Sequence, residues 1–148
     1  MQVPEAQETP KRSTVGFAPA FLGSGALAAV QAVLPDMQAR RTGTILFTTG
    51  ATSVYPQMGH EIFEVFANFA ITGAAVRAYA HALHAALGPS GIQVGHVAIG
   101  AWIGKQPGAT PEAIAPLYWQ LHTRRNEMEK VFLPATTSEP QDDQPCLL

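Results

Sequence analysis

Three observations predict an α/β fold with a parallel sheet. Two short apolar, β-branched runs, Ile45 to Thr49 and Ile92 to Ile99, have the length and composition of buried strands. Between them, Ile62 to Leu87 carries apolar residues at helical spacing. Turn residues stand at the joints, Gly50 after the first run and Gly88-Pro89-Ser90-Gly91 before the second. Two strands joined by one long helix must run parallel, because a parallel return needs a covering crossover, and such crossovers are right-handed.

The first element expected along the chain is a helix from Gly25 to about Arg41, with Leu27, Val30, Val33, Leu34 and Met37 as its apolar stripe. Pro35 lies within that stripe and predicts a kink or a restart. Arg40, Arg41 and Gly43 are the expected stop, with cations near the carbonyl end and a glycine beyond. In the central helix Phe66, Phe69, Gly73, Val76, Ala80, Leu83 and Leu87 share one face, and its many Ala and Gly residues allow close backbone approach. After Gly104 comes a loop, and Thr110-Pro111-Glu112 then has the order of an N-cap, a first-turn proline and a first-turn acid. Pro116 predicts a short turn, followed by a helix from about Leu117 to Val131 that buries Leu117, Leu121 and Met128. Residues 1–15 and 134–148 read as polar, proline-bearing tails around one domain at 16–133, the later tail acidic.

Composition bounds function mostly by exclusion. The chain has 148 residues, 47% hydrophobic and 14% charged, with a formal net charge of −2. Between Gly16 and Leu133 seven Lys/Arg face six Asp/Glu, so the body is near neutral and gives no reason to expect nucleic acid or an anionic membrane as partner. The one basic cluster, Arg124, Arg125 and Lys130 beside Glu127 and Glu129, reads as a solvated helix face. Cys146 is the single cysteine, which rules out an intramolecular disulfide. The first fourteen residues lack the apolar core of a secretory signal, and no run is long enough to span a bilayer, so a cytoplasmic location is expected.

The segments ILFTTGATS and AAVRAYAHALHAALGPSGIQVGHVAIG, with GALAAVQAVLPDMQARRTGTILFTTG leading into them, resemble the C-terminal half of a short-chain dehydrogenase/reductase. The likeness covers about Phe21 to Gly104. It implies a partial Rossmann-like unit, a parallel β-α-β with flanking helices, an NAD(P) cofactor, and oligomer contacts through the two long helices. A full enzyme of this kind needs roughly 90 to 100 further residues upstream of Gly16 on domain-size grounds.

The resemblance also shows which chemistry is missing. The family's proton donor is a tyrosine with a lysine four residues on, and the aligned positions here hold Phe69 and Gly73. A phenyl ring gives up no proton and glycine carries no charge. The lysines are Lys11, Lys105 and Lys130, so Tyr55, Tyr79 and Tyr118 all lack a lysine at the fourth following position. The nearest match to a phosphate loop, Gly23-Ser-Gly25-Ala-Leu-Ala28, follows a poor strand and lacks the ribose-binding acid near Thr49-Gly50, so it reads as a plain helix start.

The remaining candidates are few. Ser53 or Thr49 stands for the family's carbonyl-orienting hydroxyl, and Tyr55 is the replacement candidate for the lost donor. Thr49, Gly50 and Gly100 are the candidate cofactor-binding positions, while Ile99 and Gly104 stand where the family has its proline and threonine. The hydroxyls of Thr48, Thr49, Ser53 and Tyr55 either line a residual pocket at the carboxyl end of a strand or cap loop backbone. His81 and His84, one turn after Arg77, read as solvated or interface histidines, and no acid or cysteine is placed to complete a zinc site with His60 and His96. Trp102, Tyr118 and Trp119 either wall a cavity or fill a core.

Two functions are therefore expected: a truncated NAD(P)-oxidoreductase-like protein whose activity is absent or depends on a separate chain carrying the nucleotide-binding half, or a non-catalytic pseudoenzyme serving as an oligomerisation or interaction module. A hydrolase or lyase built on Ser53 or a histidine has no triad spacing in the sequence to support it.

Overall fold

A computed structural model describes residues 18–58 and 63–134. The two expected tails therefore lie outside the described residues, apart from Pro134. The element order is α1 (Ala18–Arg40), β1 (Gly43–Gly50), α2 (Phe63–Leu87), β2 (Ile92–Ile99), α3 (Pro111–Arg124) and β3 (Glu129–Phe132). All three strands are parallel in the order β1-β2-β3. Gly43 aligns with Ile92 and Gly50 with Ile99, so the first two strands pair along their whole length.

Alternation along β1 and β2 divides the helices between the two faces. Ile45 and Phe47 of β1, with Ile92 and Val94 of β2, pack against Val30 of α1 and Ala80 and Leu87 of α2. The opposite face meets α3. A Cβ added at Gly95 would stand 2.9 Å from Leu46 Cδ2 and 3.1 Å from Leu121 Cδ1, so glycine here lets α3 lie close on the sheet. From α3, Tyr118 reaches Thr48 at 2.7 Å and His122 reaches Thr44 at 2.9 Å. Every residue from Ile92 to Ala98 is buried, as a central strand covered on both faces requires.

Three expectations need correction. First, α1 starts at Ala18 and runs through Pro35 without interruption, while Leu27 and Val33 of its expected stripe are exposed and Val30 alone is buried. It ends on Arg41, which itself takes the left-handed conformation. Second, α3 runs continuously from Pro111 to Arg124 through Pro116, capped as expected by Thr110, whose side chain accepts from the Ala113 amide. Only the Glu112 carbonyl loses its helical donor to that proline, and Glu112 and Pro116 are both exposed, so water satisfies it. Third, the stretch expected to prolong this helix forms β3. Arg125 turns left-handed at the helix end and donates to the Gly43 and Gly91 carbonyls at 3.2 Å, which ties the entry points of β1 and β2 to the turn. A cation expected on a solvated helix face thus clamps the sheet.

Gly91 is a position where the turn calls for glycine. Its φ is +81°, and a Cβ there would stand 2.5 Å from the Arg41 carbonyl oxygen. None of the described helices is long and apolar enough to cross a membrane.

Candidate functional site

The polar side chains converge at the carboxyl end of β1, on the α2 face of the sheet. Thr49 Oγ1 lies 2.7 Å from Ser53 Oγ in the 3-10 turn Ala51–Ser53, and 2.7 Å from His96 Nε2 on β2. On its other side His96 Nδ1 lies 2.9 Å from Glu129 Oε1 on β3, its register partner in the sheet. Arg77 on α2 grips the same carboxylate with both arms, Nε to Oε1 at 2.6 Å and Nη2 to Oε2 at 2.9 Å. His81, one turn further along α2, stands 3.5 Å from Glu129 Oε1. Four segments distant in sequence therefore supply one continuous chain of polar groups.

Electrostatics fixes where the protons are. Hydrogen bonds from Arg77 hold the Glu129 carboxyl down to about 2, with His96 adding to the effect, so Glu129 is ionised and accepts only. The fully buried His96 has its pKa lowered by desolvation, against the opposing pull of Glu129, so it is neutral at pH 7. A neutral imidazole carries one proton, and the facing carboxylate claims it at Nδ1. Nε2 is then bare and must accept from the Thr49 hydroxyl. Thr49 has one proton to give, and the Gly50 carbonyl at 3.2 Å is a longer alternative than His96 at 2.7 Å. Ser53 in turn donates to Thr49 Oγ1. No described buried side-chain nitrogen or oxygen lacks a partner.

Thr49 is half-buried and lines a cavity of about 540 Å³ with Thr48, Gly50, Phe69, Thr72 and Gly73 among its walls. The structure thus brings Ser53, Thr49 and Gly50 together. Tyr55 stands apart, more than a third exposed beyond the turn. Gly100 is enclosed, since a Cβ there would meet Leu133 Cδ2 at 2.6 Å and Ala51 Cβ at 2.9 Å. Phe69 is half-exposed rather than on the buried face of α2, and Gly73 lets that helix settle on β1, its added Cβ 3.2 Å from Ser53 Cβ and 3.5 Å from Thr49 Cβ. Gly23 and Gly25 lie inside α1, where the backbone forms no phosphate-receiving turn.

Two central members of the array, His96 and Glu129, are not joined by sequence reasoning, which weighs His96 only for a zinc site and Glu129 only as charge balance on a helix face. His96 is wholly buried and Glu129 is its partner. A signal existed, a histidine alone in the apolar run IQVGHVAI, but its partners lie 47 and 33 residues away. Among the described residues no group of three potential ligands could hold a metal ion, and His60 lies outside them. Trp102 and Trp119 are exposed and fill no core.

Comparison with known proteins places the fold. No family model and no curated protein matches the sequence. Among solved structures, the bulky-bulky ketone specific alcohol dehydrogenase from Comamonas testosteroni aligns in its orthorhombic form at a TM-score of 0.64 and 18% identity, covering 93% of this chain and 53% of that one. Its tetragonal form gives 0.62 and 17%, covering 88% and 50%. A short-chain dehydrogenase from Rhodopseudomonas palustris gives 0.60 and 23%, covering 90% and 60%. The chain spans little more than half the length of these neighbours. Its fold, a parallel sheet with α1 and α2 on one face and α3 on the other, is that of the C-terminal half of a short-chain dehydrogenase.

Proposed function

We propose that this protein is an NAD(P)-oxidoreductase-like half-fold that does not transfer hydride by itself and serves as an assembly module for a second polypeptide surface. The single observation that carries this reading is the packing at Gly73. The position that resembles the family's lysine is a buried glycine, with β1 and its following turn so close that even a Cβ presses on Ser53. The position four residues earlier, where the resemblance calls for a phenol, is a phenyl ring turned half outward. The described residues therefore do not fit the nicotinamide end of a dinucleotide as the resemblance would hold it: Phe69 and Gly73 supply neither the phenol nor the ammonium at those two positions, and Gly23 and Gly25 lie inside a helix.

The outer edge of β1 supports the assembly role. Among the described residues only β2 pairs with β1, so one row of backbone donors and acceptors is open along that strand. Leu27, Val33, Phe69 and Ile71 expose large apolar groups on α1 and α2, the two helices of the same face. A parallel strand with its own helices would satisfy both, either from a chain supplying the N-terminal half of the fold or from a second copy. Titration with NADPH and with NADH, following nicotinamide fluorescence, tests the first part, and no change is expected. Light scattering tests the second, where a stable monomer that stays soluble at high concentration refutes the module.

A further inference from the structure

The array at the end of β1 has a use that hydride transfer does not require. We propose that Thr49 is a nucleophile, activated by His96 and oriented through Glu129, that accepts an acyl group from small carboxylic esters entering the adjoining cavity. A hydroxyl, a neutral imidazole and an ionised carboxylate stand in line, at 2.7 Å and 2.9 Å, on three neighbouring parallel strands. This is the order of parts that activates a hydroxyl nucleophile on unrelated folds, and it is recognised by geometry rather than by residue order along the chain. The tautomer is the one the chemistry needs, because Glu129 holds the imidazole proton at Nδ1 and leaves Nε2 free to take the hydroxyl proton. Arg77 keeps Glu129 ionised and fixed through two hydrogen bonds. Of the line, Thr49 is the member that lines a cavity, and that cavity, at about 540 Å³, is of the size that holds small molecules.

The step balances without a co-reactant other than water. Thr49 Oγ1 attacks the ester carbonyl carbon while its proton moves to His96 Nε2. The ester C–O bond breaks, and the departing alkoxide takes that proton and leaves as the alcohol. Water then attacks the acyl-Thr49 carbonyl, passing a proton to His96 Nε2, and the carboxylic acid leaves as Thr49 Oγ1 recovers its hydrogen. The groups that face His96 and Glu129 across this path are Arg77 and His81 of α2. The inference is independent of the hydride-transfer reading above.

The test uses the full chain and 4-nitrophenyl acetate, with the adduct located by peptide mass mapping. One acetyl group on Thr49 is expected, absent from position 49 in T49V, whose side chain has no hydroxyl, and retained within about tenfold in T49S. H96Q, which keeps a polar group in the buried site, should slow acetylation of Thr49 about a hundredfold, with circular dichroism confirming the fold of each variant. Glu129 is a positioning residue. Its variant E129Q should alter the pH profile of acetylation as well as its rate, since the tautomer is no longer held. Acetyl groups confined to lysines or exposed histidines, an adduct on Ser53 in place of Thr49, or no adduct on folded wild-type protein would each overturn the proposal. A flat cofactor titration leaves it untouched, which keeps the two readings separable.

Discussion

Replacing Glu129 with glutamine removes the charge on which three side chains depend, and the structure sets how much stability should go with it. The carboxyl group titrates at about 2 in the folded chain against 4.5 unperturbed. That difference, at about 1.4 kcal/mol per unit, bounds its contribution at roughly 3.4 kcal/mol. Glu129 and Arg77 are one-fifth and one-third exposed, so solvent screens the pair and a loss of about 2 kcal/mol is expected at pH 7. For a body of this size that lowers Tm by about 8 °C. The sign with pH follows from linkage: a depressed carboxylate stabilises fully above its unfolded pKa and loses that contribution as pH falls from about 4.5 towards about 2. Wild type and E129Q should therefore differ fully at pH 7 and by less than half as much near pH 3. Thermal melts followed by circular dichroism at both pH values read this directly. Equal Tm values at pH 7, or a gap that does not shrink in acid, would refute the assignment of Glu129 as a charged hub.

Other perturbations test other parts of the fold. Burial lowers the His96 pKa, so as pH drops through the unfolded value of 6.5 only the unfolded chain gains that proton; urea midpoints should fall across this range, and less so in H96Q. Gly91→Ala forces a side chain into a left-handed turn against the Arg41 carbonyl, and chemical denaturation should show a loss of about 2 kcal/mol. Leu121→Ala empties the contact of α3 with Gly95 and should cost about 3 kcal/mol by the same assay. The double variant Phe69→Tyr, Gly73→Lys restores the missing residue types but presses a side chain on Ser53. No NADPH oxidation with a ketone is expected, and measurable turnover would refute the proposed loss of function.

Local patterning determined much of this protein. Apolar runs and the turn Gly88-Pro89-Ser90-Gly91 placed β2 to the residue and bounded β1 and α2 closely, because buried strands and helix stops depend on residues adjacent in sequence. The cap Thr110-Pro111-Glu112 was legible for the same reason. What local pattern could not show was β3: Glu129 to Phe132 carries a mixed, charged sequence that pairs only because β2 presents an open edge beside it. The prolines misled likewise, because α1 and α3 keep their helical course through Pro35 and Pro116 at exposed positions where a lost hydrogen bond is met by water. Only tertiary structure decided the polar array. A buried histidine takes its proton position from a carboxylate 33 residues later, and that carboxylate takes its charge from an arginine 52 residues earlier. Parallel pairing through two helical crossovers brings such distant groups together, and no sequence period records it.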